Sequence, residues 1–136
     1  MAFRIVALLI IVPLAAGGSC GTTTPTGTTT PTVSFADDIL PIFISRCTGC
    51  HGSAGTGSNA PALTSAEAFA AIVNQASVQR PDLRHVSPGS ADTSWLFLKV
   101  SSNAPGVGVR MPTGGALSAD DIATIRNWIN QGALNN

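Results

Sequence analysis

Residues 35–51 read FADDILPIFISRCTGCH, an apolar segment with helical spacing that runs directly into Cys47-Thr48-Gly49-Cys50-His51. Phe35, Ile39, Ile42 and Phe43 recur at the interval of one helix face. Pro41 would break a helix interior but costs little in a first turn, so the spacing predicts a helix that starts at about Asp37 and is closed by the pentad. Asp37 and Asp38 then stand at its positive end, where capping accounts for them better than acid or base chemistry.

The pentad carries the chemistry. Two thiols separated by two residues, with an imidazole directly after the second, suit the attachment of a haem: the thiols fix the porphyrin edge as thioethers and the imidazole ligates the iron. The reading is one covalent haem c held by Cys47 and Cys50, with His51 on the metal. Met111, in Val109-Arg110-Met111-Pro112-Thr113-Gly114-Gly115, sits among polar and turn-forming residues. That is a poor place for a core filler and a good one for a ligand loop, and His/Met is a common haem pairing. Pro112 restricts Met111 to an extended backbone. His85 is the competing ligand, although a lone histidine more often sits at a surface or in a structural hydrogen bond. Arg110 and Arg84 are candidate partners for haem propionates, because guanidinium binds carboxylate through paired N–H groups. For each, a solvated surface role accounts equally well for the charge. Trp95 and Trp128 lie on apolar helical faces and read as packing residues.

The whole chain has 136 residues, room for one small domain, and its 7 basic and 7 acidic side chains cancel. That balance argues against nucleic acid as a partner. Aromatics make up 5% and there is no tyrosine, so side chains alone would struggle to build a large core, and a buried haem would supply the missing apolar mass.

The N-terminal stretch has Arg4, an apolar run from Ile5 to Leu14 and then small residues, the pattern of a signal peptide over residues 1–19. The run falls short of the roughly 20 apolar residues of a spanning helix, so export is expected without a transmembrane anchor. Cys20 follows directly in a setting that resembles a bacterial lipoprotein cleavage site, although Gly17 stands where that pattern prefers leucine. Lipidation of Cys20 is the expectation, with ordinary cleavage and a free or dimer-forming thiol as the alternative. Residues 20–33 are rich in Thr and Pro and read as a tether that would hold the domain, residues 34–136, off a membrane in the periplasm.

The remaining elements are also helical. Gly52 to Pro61 reads as an irregular loop that lacks the Lys of a P-loop and the spacing of a dinucleotide fingerprint. Thr64-Ser65-Ala66-Glu67 is a capping box that opens a helix through about Asn74. Residues 91–100 form a third helix after Ser90, and Ser118 starts a fourth whose Ile122, Ile125, Trp128 and Ile129 share a face, with Gly132 available to stop it. No strand alternation persists, so the expected class is all-α.

Taken together, the CTGCH pentad after an N-terminal helix, the Met-Pro loop and the terminal LSADDIATIRNWINQGA stretch resemble the class I monohaem c-type cytochromes, as found in bacterial exported cytochrome c domains. The resemblance covers residues 34 to 134 and implies a small helical domain wrapped around the haem. It further implies that the first and last helices cross beside the haem, with Phe43 and Trp128 near their contact. It implies too that the Pro61 carbonyl accepts the second N–H of His51, which would fix the tautomer and strengthen ligation. The absence of Tyr departs from the family and leaves the propionate contacts unassigned.

The function implied is electron transfer to and from redox partner proteins by a monomer, with a haem-based gas-binding module whose sixth ligand is displaced as the alternative. A redox-active disulfide between Cys47 and Cys50 is disfavoured by the missing strand–helix context of a thioredoxin fold. The 2 histidines are both better explained elsewhere, no nucleophile triad can be assembled, and no enzyme is expected.

Overall fold

The computed structural model describes residues 30–52, 60–64, 67–101 and 107–136. The expected signal peptide, Cys20 and residues 20–29 of the expected tether lie outside the described residues.

Ser34 starts the first helix. Its hydroxyl accepts the Asp37 N–H at 3.1 Å while the Asp38 carboxylate accepts the Ser34 N–H at 2.8 Å, so donors at the helix start are satisfied reciprocally. The helix therefore begins at Phe35, ahead of the expected Asp37. Its first turn, Phe35–Ile39, is π-helical, and α1, Leu40–Arg46, continues from it. Pro41 accounts for the wide turn: it has no N–H to donate to the carbonyl four residues back, and its ring crowds that carbonyl.

The second helix, α2, spans Glu67–Ile72 and stops short of Asn74. Asn74 adopts a left-handed φ of 61°, and its N–H donates to the Val86 carbonyl at 3.0 Å, so the chain leaves the helix to pair with a later segment. Isolated bridges join Val73 to Val86, Ala76 to Arg84 and Arg84 to Ser94, and no strand forms among the described residues. The helix expected over residues 91–100 is broken in two, a 3-10 turn at Ala91–Thr93 and α3 at Trp95–Ser101. Ser94 makes the break. It is extended and fully buried, and its hydroxyl donates to Ser90 O at 2.7 Å and accepts the Ser87 N–H at 2.9 Å, a local alternative to helical bonding.

The last helix, α4, spans Ala119–Asn130 and matches its sequence signals. Ser118 accepts the Asp121 N–H at 3.0 Å, and Gly132, at φ 105°, turns the chain so that Ala133 N–H reaches Trp128 O at 2.9 Å and Gly132 N–H reaches Ile129 O at 3.0 Å. The chain is all-α among the described residues, and none of its described helices is long and apolar enough to cross a membrane.

Ile125, Trp128 and Ile129 of α4 are buried in one cluster with Phe35, Ile39, Phe43, Ile72 and Val100. Phe43 and Trp128 lie in one buried cluster where the first and last helices meet, and Phe35 makes the ring contact between them. The Phe35 and Trp128 ring centroids are 5.5 Å apart, and Phe43 joins through Phe35 at 6.4 Å. Because the helix starts at Phe35, its π-helical turn is the part that packs on α4. Ala36 N–H and the Ser34 hydroxyl both donate to Asn136 O, at 3.0 and 2.7 Å, so the chain after α4 is tied to the start of the first helix.

Candidate functional site

The pentad is the C-terminal cap of α1. Cys47 and Thr48 both donate main-chain N–H groups to Phe43 O, at 2.8 and 3.2 Å, and the Thr48 hydroxyl donates to Ile44 O at 2.7 Å. Cys50 and His51 then fold back on Cys47 O, at 3.1 and 2.9 Å, which winds the five residues into one compact turn. No disulfide joins the two cysteines, of which Cys47 is half-buried and Cys50 exposed.

His51 is gripped twice by the segment after the glycine-rich stretch. Its carbonyl accepts the Leu63 N–H at 3.0 Å, and its ring Nδ1 lies 3.3 Å from Pro61 O. A carbonyl only accepts, so Nδ1 is the donor in that bond, and in the neutral ring the lone pair is then on Nε2. That is the tautomer and restraint that metal-ligating histidines need.

Met111 is brought to the same place by α3: its N–H donates to Lys99 O at 2.8 Å. The Met111–Pro112 peptide bond is cis. Cys47, Cys50, His51, Pro61 and Met111 all line one cleft of about 930 Å³. Its walls also include Leu63, Trp95, Leu96 and Val100, so the lining is mostly apolar with polar groups at particular points. Arg110 is placed otherwise: it is absent from the lining, and its Nε donates to Val100 O at 3.0 Å. Arg84 donates to Asn74 O and is absent from the lining too.

Trp95, read from the sequence as a packing residue, is buried but belongs to the cleft wall and not to the main core cluster. Lys99, Gln79 and Ser77 also line the cleft, and the sequence reading had singled out none of them. A lysine inside the apolar run WLFLKV was the signal for the first; the other two carry none. His85 lines the cleft and a shallower adjoining hollow of about 490 Å³ shared with Pro61.

The electrostatics sort the titratable groups. Burial pushes the Cys47 thiol up to about 11, an effect that the neighbouring Arg46 charge only partly offsets. A redox-active CxxC needs the opposite shift, so this environment argues against the disulfide-exchange reading. Among the described residues no three His, Cys, Asp or Glu side chains converge as a metal-binding group. Burial also lowers the Lys99 pKa.

His85 is held below the ordinary histidine range, first by burial and then by the His51 charge. The fold thus favours neutral His85, and the unfolded chain takes up that proton at higher pH than the folded one. Stability from this residue is present above about pH 6.5 and lost as pH falls through the window below it. Thermal midpoints measured from pH 7 to pH 5 are expected to fall, with a shallower slope in His85→Gln; an identical slope would remove His85 as the source.

Among solved structures the chain is similar to hydrazine synthase of Kuenenia stuttgartiensis, at 25% identity and a TM-score of 0.52, over 75% of this chain and 16% of that one. The chain therefore spans about a sixth of that protein's length. No protein-family model matches the chain, and no curated protein does.

Proposed function

We propose that residues 34–136 are a c-type cytochrome domain that carries one electron on a single covalent haem c. The observation that carries this reading is the cleft itself, which gathers the pentad from the first helix and Met111 from the distant loop before α4. At about 930 Å³ it lies near the upper end of the roughly 300–1,000 Å³ of ligand pockets. Cys47 and Cys50 would hold the haem by thioethers, and His51 and Met111 would ligate its iron. When bound, the haem supplies an iron that changes oxidation state by one electron.

The chain's own residues set how that change happens. The Pro61 carbonyl orients the His51 ring and raises its basicity through the Nδ1–H bond. Met111 offers a thioether, a ligand that raises the reduction potential relative to a second imidazole. With His51 and Met111 both bound to the haem, the site would be suited to electron passage and not to substrate chemistry, so no catalytic residue is assigned. The likeness to a sixth of hydrazine synthase contributes a helical module to this reading, not that enzyme's activity. The partners in this reading are redox proteins. Lipidated Cys20 and the Thr/Pro-rich stretch would keep the monomeric domain beside a membrane in the periplasm.

The chain matured with haem is expected to stain for haem on a denaturing gel, because only a covalent haem survives denaturation, and Cys47→Ala/Cys50→Ala is expected to lose the stain entirely. An unstained native chain would overturn the proposal. Rapid binding of carbon monoxide by the native ferrous protein at neutral pH would instead favour the gas-binding module.

A further inference from the structure

α3 reads WLFLKVS, and its charged residue, Lys99, is the one lysine of the chain. Lys99 is only 6% exposed, yet it lines the cleft. Its Nζ donates to Val109 O at 2.6 Å and lies 5.5 Å from the centroid of the Trp95 ring. An ammonium has three N–H donors, and these contacts occupy one of them together with an aromatic face. No carboxylate completes the set: the ion pairs among the described residues are Arg80–Asp82 and Arg126–Asp92. A cation removed from water and left without an anion is unfavourable, so its position calls for a negative group from the cleft side.

A second donor faces the same spot. A side chain at Gly108 would begin 3.1 Å from Lys99 Nζ and 3.9 Å from Gln79 Nε2. Gly108 has a φ of 65°, so the bare, left-handed backbone leaves open the space on which the ammonium and the amide converge. Gln79 and Lys99 both line the cleft. Arg46 lines it as well, but it is exposed, donates to Ala116 O at 3.4 Å, and has water to solvate its charge.

We propose that the Lys99 ammonium, with the Gln79 amide beside it, binds a carboxylate of the ligand in the cleft, a haem propionate. The assignment rests on the haem reading above and gives the propionate to Lys99, which lines the cleft, in place of Arg110, which does not. A propionate paired to a buried cation places less net negative charge beside the iron. Lys99 is then a positioning residue that also holds the reduction potential up.

Because Lys99 is the single lysine, ¹⁵N-lysine labelling of the holoprotein isolates its ammonium. The expected result is a signal whose shift differs between the ferric and ferrous states and that shows nuclear Overhauser contacts to propionate methylene protons. Lys99→Met is expected to lower the reduction potential and Lys99→Arg to recover most of the loss, a pattern that a purely structural lysine would not produce. A haem-bearing native protein without those contacts overturns the assignment, and so does an unchanged potential in Lys99→Met. If Lys99→Met does not mature, the native spectrum decides alone. A native chain with no haem stain overturns both this assignment and the reading on which it rests.

Discussion

Replacing Met111 by alanine is expected to abolish the weak sulfur-to-iron charge-transfer band of the ferric holoprotein, open the iron to carbon monoxide, and lower the reduction potential. The Met111 N–H is anchored to Lys99 O by the backbone, so the loop keeps its place when the side chain is shortened and the change is confined to the missing thioether. A drop on the order of 0.2 V is expected, a fraction of the roughly 0.8 V that axial ligands command. Optical spectra with and without carbon monoxide, together with a potentiometric titration, measure all three effects. His85→Ala is expected to leave the band intact. Persistence of the band in Met111→Ala would remove Met111 from the iron, and its loss in His85→Ala would give the position to His85.

The largest effect on folding is expected at Trp128. It is fully buried, its ring lies 5.5 Å from Phe35 and 6.5 Å from Phe69, and its indole N–H donates to Leu134 O at 3.0 Å. It thus joins the first helix, α2 and the C-terminal segment at one point. Truncating a buried tryptophan typically costs about 3–5 kcal/mol, a large share of the roughly 5–15 kcal/mol that holds a domain together. Trp128→Ala should therefore lower the thermal midpoint of the holoprotein by roughly 20 °C, read by circular dichroism. Trp128→Phe, which keeps a ring but not the N–H, should lose about 2 kcal/mol or less. A shift of only a few degrees in Trp128→Ala would show that the aromatic cluster is not what closes the fold.

The elements legible from sequence were those whose chemistry is local. Ser118 and Gly132 bracket α4 because a cap hydroxyl and a left-handed residue act within one turn of where they stand. The pentad is legible for the same reason, since its thiols and imidazole are consecutive in the chain. The resemblance supplied two long-range expectations, the meeting of the first and last helices and the approach of the Pro61 carbonyl to His51, whose Nδ1 lies 3.3 Å from Pro61 O. What escaped was set by partners distant in the chain. The break at Ser94 depends on hydroxyl bonds to residues 87 and 90 in a segment without strand alternation. That Phe35 is the ring set directly against Trp128 depended on how α4 meets the turn capped by Ser34. Arg110 and Arg84 read as candidate propionate partners from guanidinium chemistry alone, whereas burial of Lys99 against Val109 needed α3 and the later loop to meet.

The bonds from Ser34 and Ala36 to Asn136 close the domain's outline into a ring. Chain attached before residue 34 and chain attached after residue 136 would depart from one spot, like the two ends of a cord leaving a single bead. A longer polypeptide can host such a bead within a loop, with its own backbone interrupted by only a few ångströms. The same outline accepts circular permutation: joining residue 136 to residue 34 through a short linker and opening the chain elsewhere should preserve the cleft and its lining.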